Sequence, residues 1–194
     1  MRKFMIISAF ILLVSIPARA QDSYPTVEVF GGYSYFSADV SLDDPFDDDG
    51  DDFFDQREGF HGVGFSIAGN LSRSVGLVAD LSYHKKELDV PFFADEIDRS
   101  AFTFLFGPRF TARGDRVDAF GHILIGGIRT KTEDFDSETD LALGVGGGID
   151  IKATDKFAIR LIQLDYIPVR SEGPFGDKEW FHNLRFQIGG VLRW

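Results

Sequence analysis

A strict alternation of apolar and polar residues is the feature that most constrains how this chain can fold. Between Thr139 and Lys152 the sequence reads TDLALGVGGGIDIK, and its large apolar residues all fall on one phase. The segment SAFTFLFGPRFTAR (100–113) repeats the pattern, with an apolar phase that is mostly phenylalanine. Because successive side chains of a strand point to opposite faces, a period of two predicts β-strands. Each strand then has one bulky apolar face and one small or charged face.

Eight segments carry this alternation. We predict strands at about 26–37, 59–69, 74–86, 100–113, 117–131, 139–153, 157–170 and 180–194. Short polar turns, NLSR, RGDR and ATDK, join the second strand to the third, the fourth to the fifth and the sixth to the seventh, and the other four connections are longer. Bacterial membrane barrels have an even number of strands, short periplasmic turns and long extracellular loops. The sequence therefore predicts an all-β protein, an eight-stranded antiparallel up-and-down transmembrane β-barrel.

The alternative is a soluble ligand-binding barrel, which would turn the apolar face inward and the charged face to water. Here the polar face is rich in glycine, serine and alanine, as in Gly62, Gly64, Ser66 and Ala68, which suits the narrow interior of eight strands. Tyrosines and tryptophans fall near predicted strand ends, at Tyr33, Tyr35, Tyr83, Tyr166, Trp180 and Trp194. This pattern favours lipid outside the barrel and aromatic girdles at both membrane interfaces.

The N-terminus predicts export. Arg2 and Lys3 precede an apolar run of thirteen residues from Phe4 to Ile16, and Ala18-Arg19-Ala20 follows. This is the pattern of a secretory signal peptide, whereas a membrane-spanning helix needs about 20 apolar residues. We expect residues 1–20 to be a cleaved signal peptide and residues 21–194 to form the barrel domain.

Charge and cysteine content exclude some functions. Cleavage after residue 20 would remove three positive charges and move the formal net charge from −11 to −14, so no nucleic-acid partner is expected. The chain has no cysteine, although the exported environment permits disulfides. After residue 20 no apolar stretch approaches 18 residues, so no transmembrane helix is expected.

Two predicted strands depart from a simple alternation. In FAIRLIQLDYIPVR (157–170), Arg160 lies on one phase whereas Gln163 and Asp165 lie on the other. Facing lipid would cost an arginine at mid-membrane about 2 to 4 kcal/mol. We therefore predict a β-bulge near Leu161 and Ile162 that turns all three polar side chains inward. In the fifth strand, His122 faces inward if its neighbours Gly121 and Ile123 face lipid.

The chain resembles a known family at four places: EVFGGYSYF near the start of the mature chain, FLFGPRF, IQLDYIPVR and the ending QIGGVLRW. It is similar to the small eight-stranded outer-membrane β-barrel proteins of Gram-negative bacteria, OmpA-like in the transmembrane part. The resemblance covers the whole mature chain and implies a porin-like or structural barrel at the cell surface. Its ending looks like the signal that the outer-membrane assembly machinery recognises in this family, with Gln187, Gly189, Leu192 and Trp194 in the motif positions. Nothing follows Trp194, so the peptidoglycan-binding domain of full-length OmpA proteins is not expected.

The polar phase collects ionisable residues that would face the barrel interior. The acids are Glu28, Asp80, Asp118, Asp140, Asp150 and Asp165, and the bases are Arg109, Lys152, Arg160, Arg185 and Arg193. Strand direction predicts two clusters, Glu28, Asp150, Arg109 and Arg160 toward the periplasmic end and Asp80, Asp165 and Arg185 nearer the middle. Charges in so narrow a tube persist only when paired, so we expect a structural plug. A narrow ion or solute channel is the alternative.

One group of residues suggests catalysis. Asp80, Ser82 and His84 place an acid, a hydroxyl and an imidazole on one face of one strand. A catalytic relay needs the histidine between serine and acid, and same-face neighbours lie about 6 to 7 Å apart, so we interpret them as polar core residues. A lipid A acyl-modifying barrel enzyme remains an alternative, although in such enzymes the strand-borne His-x-Ser faces lipid. No catalytic or cofactor-binding residue is predicted.

The most acidic segment is DDPFDDDGDDFFD (43–55), within residues 39–58, which hold ten acids and one arginine. If Gly50 were the turn glycine of an EF-hand, Pro45 would be the first ligand and Gln56 the twelfth, so the calcium template fails. Blocks of like charge usually stay solvated, and we predict an acidic extracellular loop without a specific metal site. Loose divalent-cation binding is the alternative.

The sequence thus predicts a monomeric, non-enzymatic barrel in the bacterial outer membrane. Its expected partners are membrane lipid, lipopolysaccharide and the assembly machinery. Its expected role is structural, or surface interaction through long acidic loops.

Overall fold

The computed structural model describes residues 24–39, 57–88, 97–132, 138–172 and 178–194. These ranges contain eight strands: β1 (Val27–Asp39), β2 (Arg57–Asn70), β3 (Val75–Leu88), β4 (Ile97–Arg113), β5 (Val117–Thr132), β6 (Glu138–Lys152), β7 (Phe157–Glu172) and β8 (Lys178–Arg193). Within the described ranges, no helix has the length and apolarity to span a membrane. The acidic segment 43–55 lies outside the described residues.

The strands form a closed barrel in the order β1 to β8. Each strand pairs antiparallel with its sequence neighbours, and β1 also pairs antiparallel with β8. The predicted fold is therefore confirmed. Several strands run a few residues beyond their predicted ends on the side of the long connections; β4 begins at Ile97 rather than at residue 100. Ladder hydrogen bonds join backbone groups, so pairing continues where the apolar alternation has already ended.

The three short turns lie at the same end of the barrel. They are closed by backbone bonds to the first residue of the following strand, as when the amides of Leu71 and Ser72 donate to the carbonyl of Val75. Gly114 N donates in the same way to Val117 O, and Ala153 N to Phe157 O. The predicted alternation of connection lengths is confirmed. We call this end the short-turn end and the opposite end the long-loop end.

The two faces of the sheet differ as predicted. Large apolar side chains cover the outside, and Val63, Ile123 and Phe106 are 63%, 58% and 53% exposed. Polar side chains such as Ser34 and Gln163 are fully buried inside. Monomeric soluble proteins rarely expose continuous apolar surface on this scale. The outer surface is that of a barrel solvated by lipid.

The aromatic girdle is less symmetric than predicted. Tyr35, Tyr83, Tyr166 and Trp180 lie toward the long-loop end of their strands, and of the six predicted residues only Trp194 lies at the short-turn end. The expectation of tyrosine and tryptophan at both interfaces is thus only partly correct. At the short-turn end phenylalanines cover much of the outer face, among them Phe110 and Phe157.

The seam between the first and last strands is lined with glycine. Gly31 and Gly32 of β1 lie opposite Gly190 and Gly189 of β8. A Cβ atom added to Gly32 would lie 2.1 Å from the carbonyl oxygen of Ile188, so the two backbones approach too closely for a side chain there. The seam closes at its end through two bonds between the backbones of Val27 and Trp194.

Candidate functional site

The barrel interior holds a dense set of ion pairs. At the short-turn end, Glu28 is buried between two arginines, with Arg109 Nη1 3.0 Å from its Oε2 and Arg113 Nη1 2.8 Å from its Oε1. Arg109 was predicted to face inward, but Arg113 was not. It lies two residues after Thr111 on the same phase, so alternation could have identified it.

Asp118 is the second acid at this end. It pairs with Arg193 Nη2 at 2.6 Å and with Lys152 Nζ at 3.1 Å, and it also receives the amide N–H of Gly114. Lys152 Nζ also donates a hydrogen bond to the carbonyl oxygen of Gly114, and this bond connects a short turn to the network. Asp118 is buried, so its charge depends on these partners.

Asp150 and Arg160 form a bidentate salt bridge. Arg160 Nε lies 2.8 Å from one carboxylate oxygen and Nη2 lies 3.1 Å from the other. Such parallel bonds are the strongest geometry available to a guanidinium and a carboxylate. The guanidinium also stacks near Phe30 and Phe120, at 4.4 Å from each ring centre. The predicted cluster of Glu28, Asp150, Arg109 and Arg160 is confirmed and is larger than predicted.

The central cluster is built around Arg185, which is completely enclosed. Its Nη1 lies 2.7 Å from Asp80 and its Nη2 lies 2.7 Å from Asp165. Nη1 also donates to Ser82 Oγ at 3.0 Å. His122 Nε2 lies 2.7 Å from the other oxygen of Asp165. The predicted grouping of Asp80, Asp165 and Arg185 is confirmed, as is the inward position of His122.

A β-bulge in β7 joins the two clusters. Asp150 lies opposite Arg160 while its neighbour Ile149 lies opposite Ile162, so Leu161 is the extra residue. The predicted bulge is confirmed, and Arg160, Gln163 and Asp165 all face inward. Gln163 accepts from Arg160 Nη1 at 2.7 Å and donates to Asp165 at 2.8 Å. The ion pairs therefore form one continuous network along the barrel.

The network involves eleven charged side chains among the described residues. The acids are Glu28, Asp80, Asp118, Asp150 and Asp165, and the bases are Arg109, Arg113, Lys152, Arg160, Arg185 and Arg193. Asp140, the sixth predicted inward acid, lies apart from them near the long-loop end. There it accepts a hydrogen bond from Ser171 Oγ at 3.0 Å.

Asp80, Ser82 and His84 are buried on one face but do not form a relay. His84 Nε2 bonds to Ser34 Oγ at 2.8 Å rather than to Ser82. Ser82 accepts from Arg185, and Asp80 pairs with the same arginine. Asp80 and Ser82 therefore share Arg185, and His84 has a different partner, in agreement with the interpretation as polar core residues.

The interior is also more apolar than predicted. Phe36, Phe60, Leu105, Leu124 and Ile167 belong to one buried cluster inside the barrel. The prediction of small and charged inward residues was wrong at these positions. Glycines provide the space that the large side chains need: Gly144 faces Leu105 and Leu124, and its added Cβ would lie 3.2 to 3.3 Å from their atoms.

The other two histidines lie on the outer face. Tyr33 Oη lies 2.6 Å from His61 Nδ1, and Tyr166 Oη is hydrogen-bonded to His182 Nδ1. No group of three or more potential metal ligands occurs within the described ranges.

Comparison with known proteins agrees with this architecture. The family model described as outer membrane protein beta-barrel domain matches residues 6–188. The chain therefore belongs to this family of small outer-membrane barrels and is located in the bacterial outer membrane.

Solved structures show the same fold. The structure is similar to neisserial surface protein A (NspA), with a TM-score of 0.65 and 11% identity over 87% of this chain and 97% of that one. It is similar to Ail, the attachment invasion locus protein of Yersinia pestis, with a TM-score of 0.58 and 13% identity over 88% and 99%. OprG from Pseudomonas aeruginosa gives a TM-score of 0.54 and 11% identity over 88% and 96%. No curated protein matches the sequence.

Proposed function

We propose that this outer-membrane barrel is a non-enzymatic structural or surface-interaction protein whose interior is closed to ions. The observation that carries the proposal is the continuous buried network that runs from Glu28 through Arg160 and Gln163 to Asp80. Eight strands leave an interior that side chains can fill. Here large buried side chains, among them Arg160, Arg185 and Phe30, fill much of it.

An ion passing through the barrel would have to break these ion pairs. Arg185 is held by two carboxylates and a hydroxyl at once, with no exposed side-chain surface. Removing one partner of a buried ion pair typically costs about 3 to 5 kcal/mol. The network therefore favours a plug over a narrow ion or solute channel.

Planar-bilayer conductance tests the plug. The purified barrel should insert without opening steps, and a porin added later to the same bilayer should conduct and so show that the membrane is competent. A stable, ion-selective open state of the barrel would refute the closed interior.

Lipopolysaccharide contact is the second part of the proposal. Four exposed cations stand on the outward face near the long-loop ends of β3, β5 and β7: Lys85, Arg129, Lys131 and Arg170. Arg129 lies opposite Thr139, and Leu141 opposite Arg170, so the cations of β5 and β7 lie close together around the rim. We call these four residues the basic belt. Its position supports contact with phosphate groups of the outer leaflet, because arginine and lysine bind phosphate.

If the basic belt binds lipopolysaccharide, the stability of the barrel should depend on the lipid that surrounds it. Lipopolysaccharide in place of phosphatidylcholine should raise the unfolding midpoint of the native barrel. Replacement of all four cations by glutamine should remove most of that gain. The control variant, with Arg73 and Arg116 of the short turns replaced, should keep it. An equal gain in the belt variant and the native protein would exclude the belt as the contact.

Assembly and processing complete the proposal. Leu192 and Trp194 face outward at the end of the chain, whereas Gln187 is buried inside. We propose that Gln187, Gly189, Leu192 and Trp194 form the signal read by the assembly machinery and that residues 1–20 are removed on export. We also propose a monomer. N-terminal sequencing of the mature protein and sedimentation in detergent test the last two points.

We propose that the barrel has no enzymatic activity because Asp80 and Ser82 are both held by Arg185, whereas His84 is bonded to Ser34. Mass spectrometry of lipid A from cells with and without the protein should show identical acyl chains. A missing or additional acyl chain would establish a lipid A acyl-modifying enzyme.

The acidic segment 43–55, within the connection between β1 and β2, is proposed to be a solvated extracellular loop that meets the cell's surroundings. Calcium titration by calorimetry on the folded barrel should give no saturable heat at micromolar concentrations. Tight, stoichiometric binding would support the cation-binding alternative.

A further inference from the structure

A cavity of about 390 Å³ lies inside the long-loop end of the barrel. Its size is within the range of about 300 to 1,000 Å³ that is common for small-molecule sites. Apolar side chains form much of the wall: Phe36, Phe60, Ala101, Ile128, Val169 and Phe181. None of the eleven side chains of the ion-pair network lines it. The cavity is therefore separate from the plug.

The ionisable side chains of the described cavity wall are all acidic. Glu58 and Asp140 both line the cavity, and its described wall contains no lysine, arginine or histidine. Ser171 Oγ donates to Asp140 Oδ2 at 3.0 Å, which orients that carboxylate. The cations of the basic belt face outward, so the charge on the described cavity wall itself is negative and favours a cation over an anion.

The aromatic residues narrow the ligand class further. Three phenylalanine rings in one small cavity offer apolar contact and ring faces for a poorly hydrated cation. A metal ion would find two carboxylates but a mostly apolar wall, which is unfavourable for a strongly hydrated ion. We propose that this cavity binds a small organic cation, an ammonium group carried on an apolar body.

Methyl NMR of the barrel in lipid nanodiscs tests this inference. The probe is benzyltrimethylammonium, and phenylmethanesulfonate is the matched anion. Ile128 reports on the cavity wall, and Ile123, which faces lipid on the same strand, reports on partitioning of the probe into the bilayer. The cation should shift the Ile128 methyl saturably without shifting Ile123, and the anion should shift neither.

Isosteric variants then test whether the two carboxylates of the cavity wall contribute to binding of the cation. Asp140→Asn and Glu58→Gln should each raise the dissociation constant of the cation about three- to tenfold. Asp155→Asn, an equal charge change in the short turn before β7, should leave it unchanged. The inference is overturned if Ile128 does not shift, if it shifts in proportion to Ile123, or if both carboxylate variants bind as tightly as the native barrel. The result does not depend on the interior being closed, since a conducting barrel could still bind the cation at its mouth.

Discussion

Arg160 Nη1 and Gln163 Oε1 are 2.7 Å apart inside the barrel, although the two residues lie three positions apart on one strand. In a regular strand, residues three apart point to opposite faces. Both point inward because Leu161 is accommodated in a bulge. This contact joins the short-turn cluster of ion pairs to the central one.

Deletion of Leu161 should therefore be more damaging than truncation of its side chain. Without the extra residue, either Arg160 or the pair Gln163 and Asp165 must turn to lipid. If the arginine turns outward, the barrel should lose about 2 to 4 kcal/mol of stability. Urea unfolding in lipid vesicles should show a loss of this size. Leu161→Ala is the control, because this side chain is already 51% exposed on the lipid face. Equal stability of the two variants would show that the bulge is dispensable.

Arg185→Met should destabilise the barrel by about 3 to 5 kcal/mol, since Asp80 and Asp165 would lose their shared cation. Adding Asp80→Asn and Asp165→Asn should recover part of the loss by removing the uncompensated charge. The measurement is again the free energy of unfolding, with the exposed Arg116→Met as control. If R185M lost no stability, the central cluster would not hold the barrel together.

Gly146→Ala should be destabilising by roughly 1 to 3 kcal/mol, the usual cost of overpacking. An added Cβ would lie 2.0 Å from Asp165 Oδ1 and 2.5 Å from the carbonyl oxygen of Leu164. Asp165 would have to move away from its partners. Gly121→Ala is the matched control, because its Cβ would meet its nearest neighbour at 3.6 Å. Thermal unfolding should separate the two variants, and similar midpoints would contradict the packing argument.

Trp194→Ala should separate assembly from stability. The backbone bonds between Val27 and Trp194 survive the substitution, so folding into detergent should proceed as for the native chain. If the side chain is part of the assembly signal, the amount found in outer-membrane fractions of cells should fall several-fold. Trp180→Ala, which removes an outward tryptophan at the other end, should assemble normally. Normal membrane levels of W194A would mean that the signal lies elsewhere.

The fold was predictable because alternation and turn length are local properties. A period of two, repeated in eight segments, leaves few alternatives for a sequence with no apolar run approaching 18 residues after residue 20. The bulge was also predictable, because Arg160 and Asp165 could face inward together only if one residue between them was accommodated outside the regular ladder.

Details of the interior were harder to predict because they depend on neighbours from other strands. The phase of Phe36 and Phe60 can be read from the sequence, but whether the tube has room for two rings depends on glycines elsewhere in the sheet. Gln163 was assigned inward, yet its role as the link between two clusters requires the distances to Arg160 and Asp165. The acidic loop lies outside the described residues, and its prediction is not tested.

The glycine-lined seam has a consequence for the order of folding events. Gly31 and Gly32 meet Gly190 and Gly189 without side chains that could hold the register before the backbones bond, and they come from opposite ends of the chain. Contacts between such distant segments form slowly, and until they form both edge strands are open to pairing with other chains. Closure at this seam is therefore expected to be the slow step of folding. Before closure, a strand of another chain could pair with the open edge of β1 or β8 at this seam.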